Sequence, residues 1–217
     1  MKAVTKASAK VLFVLAAICL QACSPSLPNL GDVKVQIADY YQSGKYEADL
    51  NKVIDKAIPE FDNMSASDGS LVVFDIDETS LSNYEYEREV DFGYTPESWK
   101  KWLDDAKAPA IDGTKRLYDF LIKKGFKVAF ITGRTADYYT PTYNNLLYAG
   151  YTKFDTLIVR NASEGKLSAL EYKSKKRVEL TQKGYSIAGD VGDQYSDLDG
   201  PDHGIQVKIP NYMYIIK

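Results

Sequence analysis

Two carboxylates stand directly behind a short apolar stretch, a position in which they could do chemistry. Residues 71–74 read Leu-Val-Val-Phe, and Asp75 and Asp77 follow. A continuous apolar run of this length is typical of a strand that is buried on both faces of a parallel sheet. Because open α/β sheets bind ligands at the carboxyl ends of their strands, these acids are predicted to lie in a binding crevice. Holding two acids there is costly unless a cation joins them.

The same acids have other interpretations. Asp and Thr often cap helices and form turns, but a turn does not require the pairing of Asp75 with Asp77. A calcium loop that began at Asp75 would need Gly at its sixth position and Glu at its twelfth, where the chain has Ser80 and Tyr86. The sequence therefore excludes such a loop and leaves a capping role as the alternative to chemistry.

Other polar residues follow later apolar segments in the same way. Thr132, Gly133 and Arg134 come after residues 128–131. After residues 185–188 come three acids, Asp190, Asp193 and Asp197, and a cluster of lysines lies between the two segments, at Lys173, Lys175 and Lys176. Since the carboxyl ends of parallel strands meet at one edge of a sheet, these groups are predicted to converge on Asp75 and Asp77.

The converging groups are those that phosphoryl transfer needs. Mg²⁺ takes oxygen ligands, usually one or two carboxylates with a carbonyl, waters and a substrate phosphate. Asp75, Asp193 and the backbone carbonyl of Asp77 fit that set. A hydroxyl, free N–H groups and a lysine can hold phosphate oxygens, and Thr132, Gly133 and Lys173 are the candidates.

The rest of the chain alternates between helical and strand-like segments. Strands are predicted at residues 71–74, 128–131, 156–159, 185–188 and 205–209. Helices are predicted at residues 50–58 with Pro59 behind them, from Thr95 or Pro96, at residues 114–124, at residues 140–150, and from a cap at Ser174 to Gly184. This alternation predicts an α/β fold in which a parallel sheet of about five strands has helices on both faces.

One long segment has no clear strand. Residues 80–110, here called the cover segment, directly follow the acidic loop and are predicted to lie over the crevice. Their aromatic residues are Tyr84, Tyr86, Phe92, Tyr94, Trp99 and Trp102. These rings are interpreted as the wall of a pocket; the alternative is that they fill the core between this segment and the sheet, which for Trp99 and Trp102 is at least as good an explanation.

The N-terminus has the features of an export signal. Lys2, Lys6 and Lys10 precede an apolar run at residues 11–20, which is too short to span a membrane as a helix. The run closes in Leu-Gln-Ala-Cys at residues 20–23, which resembles the lipobox of bacterial lipoproteins, although Gln21 is unusual there. We therefore predict a signal peptide at residues 1–22, lipidation of Cys23, a tether over residues 23–30 and one domain over residues 31–217; a plain secretory signal is the alternative.

Composition narrows the chemistry further. The chain has 217 residues, 45% of them hydrophobic and 26% charged, as expected for about one globular domain. Removal of residues 1–22 takes away three lysines and no acids, so the formal net charge changes from −3 to −6. An acidic surface argues against nucleic-acid polymers as partners. Membrane contact is predicted through the N-terminal lipid only.

The counts of cysteine and histidine exclude several mechanisms. The two cysteines are Cys19, in the signal, and Cys23, which a lipid would consume. No disulfide framework or cysteine nucleophile is therefore expected in the domain. His203 is the single histidine and lies in a turn-like region, so multi-histidine zinc sites and schemes that need two imidazoles are excluded.

Four motifs in order resemble the haloacid dehalogenase (HAD) superfamily. They are Phe-Asp-Ile-Asp-Glu-Thr at residues 74–79, Ile-Thr-Gly-Arg at 131–134, Tyr-Lys-Ser at 172–174 with Arg177, and Gly-Asp-Gln-Tyr-Ser-Asp-Leu at 192–198. More narrowly, they resemble the class B/C-type acid phosphatase branch, which includes bacterial lipoprotein acid phosphatases and plant vegetative storage proteins. The resemblance extends from about Gly31 to the C-terminus and implies a Rossmann-like HAD fold.

The resemblance implies a role for each matching residue. Asp75 would attack phosphorus and form an aspartyl phosphate, and Asp77 would act as general acid and then as general base. Thr132 and Lys173 would bind phosphate, Asp193 would complete the Mg²⁺ shell, and Asp197 would orient that shell.

Some neighbouring residues compete for these roles. Lys166, Lys175 and Lys176 are alternatives to Lys173, and the Tyr-Lys-Ser match favours Lys173. The motif likewise favours Asp193 over Asp190, which is interpreted as a turn former. Arg134 could bind phosphate or pair with a neighbouring acid.

The residues and the resemblance together predict a Mg²⁺-dependent acid phosphatase that acts on small phosphomonoesters in the periplasm and is anchored to the outer membrane by lipid. The aromatic cover segment suggests substrates with a flat group, such as nucleoside monophosphates, and the carboxyl chemistry suggests an acidic pH optimum. A phosphotransferase that uses the same site and a non-catalytic storage or binding lipoprotein of the same fold are the alternatives.

Overall fold

The structure is a computed structural model that describes residues 27–216. The predicted signal peptide, the lipidation site Cys23 and the first half of the tether lie outside the described residues. Within residues 27–216, no helix is both long and apolar enough to cross a membrane.

Five parallel strands form a single sheet in the order β3-β2-β1-β4-β5. The strands are β1 Ser70–Phe74, β2 Lys127–Thr135, β3 Thr156–Arg160, β4 Ser186–Gly192 and β5 Ile205–Lys208. The first strand lies in the middle, where Phe74 pairs with Phe130 of β2 and with Val191 of β4. This confirms the predicted α/β fold and places the carboxyl end of β1 between its two neighbours.

Eight α-helices surround the sheet in the described part of the chain: α1 Leu30–Gln42, α2 Lys45–Asp62, α3 Tyr84–Glu89, α4 Pro96–Asp105, α5 Asp112–Lys124, α6 Tyr139–Tyr148, α7 Ala169–Gln182 and α8 Tyr195–Leu198. The predicted start of α4 is confirmed, since Thr95 caps it and Pro96 is its first residue. The first helix was not predicted, because none of its residues is buried and it has no strong apolar stripe.

The alternation of side chains along β1 divides the core into two layers. Val72 and Phe74 pack with α2 and α5, whereas Leu71 and Val73 pack with Tyr172 and Leu180 of α7. Helices therefore cover both faces, as predicted. Because successive side chains point to opposite faces, the residue after Phe74 is directed toward α7.

The second helix does not end before Pro59 as predicted. Pro59 lies inside α2, which continues to Asp62. A proline inside a helix removes one backbone hydrogen bond and costs about 3 kcal/mol. The last turn is retained because it carries Phe61, which is fully buried and packs edge-on against Phe126.

The seventh helix begins earlier than predicted. Its N-cap is Ser168, not Ser174, and Glu171 completes a capping box by accepting a hydrogen bond from the Ser168 amide at 2.8 Å. Ser174 lies in the second turn. The Ser-x-x-Glu capping signature at residues 168–171 therefore starts the helix before Lys173, which lies on the helix and not in the loop before it.

Asp190 is not the turn former that was predicted. It lies inside β4, which runs on to Gly192, and its carboxylate is fully buried. One oxygen accepts a hydrogen bond from the amide of Gly204 at 3.0 Å, and Arg177 lies 3.7 Å from the other. Asp190 therefore joins β4 to the loop before β5 and to α7.

The capping box makes a prediction about stability. Ser168→Ala should lower the free energy of unfolding by about 1 kcal/mol, because the first turn of α7 loses its cap. Ser174→Ala, the matched control, should change it by less than about 0.5 kcal/mol, since Ser174 is an interior helix position. Urea unfolding followed by circular dichroism measures both, and equal losses would contradict the observed helix start.

Candidate active site

Asp75 lies where the middle strand ends, and it is bound to a lysine. Its amide donates to the carbonyl of Val191 at 2.9 Å, which extends the pairing of β1 with β4 by one residue. The side chain points toward α7, where Lys173 Nζ lies 2.5 Å from Asp75 Oδ1. Both side chains are almost completely buried. The first turns of α7 therefore bring a cation to the carboxylate that follows β1.

Asp197 shares the same lysine. Lys173 Nζ lies 2.5 Å from Asp197 Oδ1, while Asp197 Oδ2 accepts a hydrogen bond from the Gln194 amide at 2.9 Å and so caps α8. Gly192 allows this approach, because a Cβ there would lie 2.2 Å from the Cβ of Asp197. The end of β4 thus requires a glycine for Asp197 to reach Lys173.

Asp193 is held by hydrogen bonds from three separate parts of the chain. Thr79 Oγ1 donates to Asp193 Oδ1 at 3.2 Å, and Oδ2 accepts from Gln194 at 2.5 Å and from Asn211 at 2.6 Å. The Lys208 ammonium also donates to the backbone carbonyl of Asp193 at 2.5 Å. The orientation of this carboxylate is therefore fixed on both oxygens.

Three carboxylates meet at this point. Asp75, Asp193 and Asp197 each offer an oxygen, and these oxygens lie within 4.8 Å of one another. Sequence reasoning gave Asp197 only an orienting role, but the structure places its carboxylate in the cluster itself. The carboxylate of Asp77 is not part of this cluster.

Burial of the cluster dominates its electrostatics. Burial raises the pKa of Asp75 well above its usual value against the opposing effect of Lys173, and Asp197 and Asp193 raise it further. Burial and the Asp197 charge raise the pKa of Asp193 to about 7. For Lys173, burial lowers the pKa, but the charges of Asp197 and Asp75 outweigh it and the net shift is upward. Lys173 therefore pairs with two of the three carboxylates, Asp75 and Asp197, and the excess negative charge of the cluster favours the binding of another cation.

Asp77 has a different environment. Arg134 Nη2 lies 2.6 Å from Asp77 Oδ1 and Arg134 Nε lies 3.1 Å from Oδ2, and Asn83 donates to Oδ1 at 2.8 Å. Burial alone would raise the pKa of Asp77, but the charge and hydrogen bonds of Arg134 and the hydrogen bond from Asn83 lower it overall. Of the two roles left open for Arg134, the structure shows the pairing with an acid.

A buried network behind Asp77 was not predicted. Glu78 has a positive φ of 55° and accepts a hydrogen bond from the Asn83 amide at 2.7 Å and another from the Tyr214 hydroxyl. Burial and the neighbouring Asp77 raise the pKa of Glu78 to about 8. Trp102 Nε1 donates to the Asn83 side chain at 2.8 Å. The network connects the cover segment and the C-terminal residues to the acidic loop.

Thr132 and Gly133 lie beyond Phe130 on β2, next to the end of β1. The Thr132 side chain is fully buried, and its hydroxyl accepts a hydrogen bond from the Arg134 amide at 3.1 Å. Gly133 is exposed and lines the cavity described below. An added Cβ at Gly133 would meet no atom within 4 Å, so its backbone is open to a ligand.

The other lysines considered for this site have other partners. Lys176 and Lys175 lie 2.7 Å and 3.2 Å from the carboxylate of Glu164, and Lys166 is exposed. His203 is also exposed, and its Nδ1 lies 3.3 Å from the carbonyl oxygen of Gly204.

A cavity of about 610 Å³ opens onto the acids. Four of the six aromatic residues of the cover segment line it: Tyr86, Phe92, Tyr94 and Trp99. Trp102 is instead packed against the core and bonded to Asn83, and Tyr84 stacks on Tyr41 at 4.7 Å between ring centroids. The pocket-wall interpretation therefore holds for four of these rings and not for Tyr84 or Trp102.

The C-terminal residues complete the cavity wall. Met213, Tyr214, Ile215 and Ile216 line it, and the Ile216 amide donates to the Gln194 side chain at 3.0 Å. The sequence did not predict a functional role for this segment, because it forms neither a helix nor a strand. Its role depends on tertiary contacts with Glu78, Asp193 and Gln194. Asn211 lies in the same segment and holds Asp193.

Similarity to known proteins extends over most of the chain. The acid phosphatases of HAD superfamily subfamily IIIB match residues 24–217 of this chain. Acid phosphatase 1 of Solanum lycopersicum is 32% identical over 186 residues, which cover 83% of this chain and 73% of that protein. Vegetative storage protein 1 of Arabidopsis thaliana is 31% identical over 190 residues, which cover 84% of this chain and 70% of that protein.

A solved structure shares the fold. The class C acid phosphatase from Bacillus anthracis superposes with a TM-score of 0.71 at 22% identity, and the match covers 86% of each chain. By its family match, its relatives and its fold, this chain belongs to the acid phosphatases of HAD superfamily subfamily IIIB, which are phosphomonoester hydrolases.

Proposed function

We propose that this protein is a Mg²⁺-dependent acid phosphatase that hydrolyses phosphomonoesters through an aspartyl phosphate on Asp75. The observation that carries the proposal is the buried cluster of Asp75, Asp193 and Asp197, which opens onto a cavity large enough for an organic phosphate. Three acids with one lysine are unfavourable in a buried site unless a further cation and an anionic substrate complete it.

The donor set fits a hard divalent cation. All three groups of the cluster are carboxylates, and oxygen ligands are those that Mg²⁺ prefers. Asp75 and Asp193 would hold the ion, together with the backbone carbonyl of Asp77, and Asp197 would orient the shell while it binds Lys173. When bound, the ion would neutralise charge on the phosphoryl group.

In the first step, a carboxylate oxygen of Asp75 attacks phosphorus. A P–O bond to Asp75 forms as the P–O bond to the alcohol breaks, and Asp77 gives its proton to the departing oxygen. Lys173, the Thr132 hydroxyl and the Gly133 amide would hold the phosphoryl oxygens during the transfer.

In the second step, water replaces Asp75. Asp77, now ionised, takes a proton from the water as its oxygen bonds to phosphorus, and the P–O bond to Asp75 breaks to release inorganic phosphate. Asp75 returns as a carboxylate and Asp77 as the acid, so the cycle closes without another reactant.

Arg134 has to leave Asp77 for this cycle to begin. In the structure, Arg134 lowers the pKa of Asp77, which disfavours the protonated form that the first step needs. A substrate phosphate that drew the guanidinium toward its own oxygens would free Asp77 to take up a proton. Substrate binding would then be coupled to the protonation of Asp77.

Asp75→Asn should lower turnover of an aryl phosphate at least about 1,000-fold, because the amide is not a nucleophile at this site. Asp137→Asn, which removes an exposed carboxylate behind β2, should retain the wild-type rate. Chelation of divalent ions should abolish wild-type activity and added Mg²⁺ should restore it. Substantial activity of Asp75→Asn, or of the chelated enzyme, would contradict the proposal.

Arg134→Gln should move the basic limb of the pH profile upward. Asp77 acts in its protonated form, so the rate falls as pH rises through its pKa, and loss of Arg134 raises that pKa. The profile of kcat/KM, which reports the free enzyme, should shift its basic limb up by about one pH unit or more. Arg134→Lys should shift the limb less, because a positive charge remains. A basic limb that stays in place or moves down would refute the role given to Asp77.

The aromatic wall suggests substrates with a flat organic group, such as nucleoside monophosphates. Trp99 packs against Tyr86 at 5.1 Å between centroids and faces the Arg134 guanidinium at 5.8 Å, so its ring is fixed in the wall. Trp99→Leu should lower kcat/KM for nucleoside monophosphates about tenfold relative to that for alkyl phosphates, because a stacked base loses its platform. Trp99→Phe should lower it less. Equal losses for the two substrates, or wild-type activity no higher on nucleotides, would remove the stacking hypothesis.

The aspartyl phosphate also admits a second outcome. If an alcohol reaches it before water, the enzyme is a phosphotransferase, and added nucleoside would then appear as a phosphorylated product.

A storage or binding function is the third candidate, since vegetative storage proteins are among the relatives. No hydrolysis across a broad panel of phosphate esters would favour that function.

The proposed location is the periplasmic side of a bacterial outer membrane, with Cys23 lipidated after removal of residues 1–22. Support comes from the residues 20–23 motif and from the start of the fold at Leu30, seven residues after Cys23. Cys23→Ala should move the protein from the membrane fraction to the soluble fraction when cells are separated. Unchanged fractionation would exclude lipid anchoring and leave soluble export.

A further inference from the structure

In the described part of the chain, one cation of the active-site cavity, Arg160, has no acidic partner. Three basic side chains line this cavity: Arg134, Arg160 and Lys173. Arg134 is paired with Asp77, and Lys173 is paired with Asp75 and Asp197. Among residues 27–216, no carboxylate lies within ion-pair distance of Arg160.

The remaining contacts of Arg160 leave much of its hydrogen-bonding capacity unused. Its Nη1 donates to the Leu167 carbonyl at 3.3 Å and its Nη2 to the Ser168 carbonyl at 3.4 Å, both long bonds to neutral groups. Its Nε is buried and has no partner within the described part of the chain. An unpaired buried donor on a charged group is costly, so a ligand that pairs with it gains affinity.

The fold holds Arg160 firmly in place. It is the last residue of β3, where it pairs with Thr135 of β2, and its guanidinium lies 4.5 Å from the centroid of the Tyr172 ring. Tyr172 is fully buried and directly precedes Lys173 on α7. A preorganised guanidinium loses little conformational entropy when it binds an anion, which suits a residue that determines substrate specificity.

The nearby acid is already neutralised by other residues. Glu164 lies in the loop between β3 and α7, where Lys175 and Lys176 bind one oxygen and the Asn161 amide donates to the other at 3.2 Å. Glu164 therefore does not use Arg160 as its counter-ion. The positive charge at the end of β3 is left facing the cavity.

We propose that Arg160 binds a second anionic group on the substrate, so that among phosphomonoesters, including those with a flat organic group, the cavity prefers those whose organic part also carries a carboxylate or another phosphate. This inference rests on the proposed phosphatase function and specifies its substrate class. Asp75 would receive the phosphoryl group to be transferred, while Arg160, at the end of the outer strand β3, would hold the far end of the molecule.

The test uses two matched series of alkyl phosphates that differ only at the far end, which is a carboxylate in one series and a hydroxymethyl group in the other. Several chain lengths are included so that one of them spans the distance from Asp75 to Arg160. The wild-type enzyme should prefer the carboxylate by about 10- to 100-fold in kcat/KM at the best length, and this preference should fall as salt is added.

Arg160→Gln should abolish this preference and leave kcat/KM for the neutral series within about twofold of wild type. Arg160→Lys should retain part of it. Lys166→Gln, which removes an exposed positive charge outside the cavity, should behave as wild type. A wild-type enzyme without the preference, or a loss of equal size on both series in Arg160→Gln, would overturn the proposal.

Binding measurements separate this inference from the proposed function. Alkylphosphonates with the same two far ends have a C–P bond in place of the ester and bind without turnover. Calorimetry should give tighter binding of the carboxylate form to wild type and equal binding of both forms to Arg160→Gln. Absence of phosphatase activity alone would end the proposed function, whereas equal affinities of the two phosphonates for wild type would end the role of Arg160.

Discussion

The structure depends on how a concentration of negative charge is held at the end of one buried strand. Asp75, Asp193 and Asp197 are almost fully buried, and Lys173 is the cation that lies between two of them. A buried carboxylate is tolerated only when it is paired or hydrogen-bonded. Each acid here has such support, but their number exceeds that of the cations beside them, and the raised pKa values of Asp75 and Asp193 express this imbalance.

The fold supplies this arrangement from distant parts of the chain. The central strand delivers Asp75, the end of β4 delivers Asp193 and Asp197, and α7 delivers Lys173 because its Ser168 cap starts the helix at the right position. Residues after β5 then return to the site, where Asn211 and Tyr214 support Asp193 and Glu78. The active site is thus the meeting point of the sheet, one helix, the cover segment and the C-terminal residues.

Sequence patterns reveal the parts of this architecture that are local. Apolar runs mark the five strands, and the acids and hydroxyls behind them mark the edge of the sheet where they converge. The cap at Ser168 is also local, because a serine three residues before Glu171 is the sequence signature of a capping box. The extension of α2 past Pro59 could not be predicted from local sequence, because it depends on the packing of Phe61 against Phe126, a contact between residues far apart in sequence.

Contacts that form only in the tertiary structure cannot be predicted from local sequence patterns. Nothing around Asn211 or Tyr214 signals a functional role, and the pairing of Arg134 with Asp77 joins the end of β2 to the loop after β1, 57 positions apart in the sequence. That Arg160 has no acidic partner among the described residues is likewise a property of the tertiary structure, because it depends on where the neighbouring acid Glu164 finds its own partners.

The central claim is that Asp75 itself carries the phosphoryl group during turnover. The most direct measurement is an acid quench of the enzyme during turnover of an aryl phosphate, followed by proteolysis and mass spectrometry of the peptide that contains residues 71–79. The account predicts one added phosphoryl group on this peptide, located on Asp75. A phosphoryl group on another residue, or steady turnover with no modified peptide under conditions that preserve acyl phosphates, would contradict it.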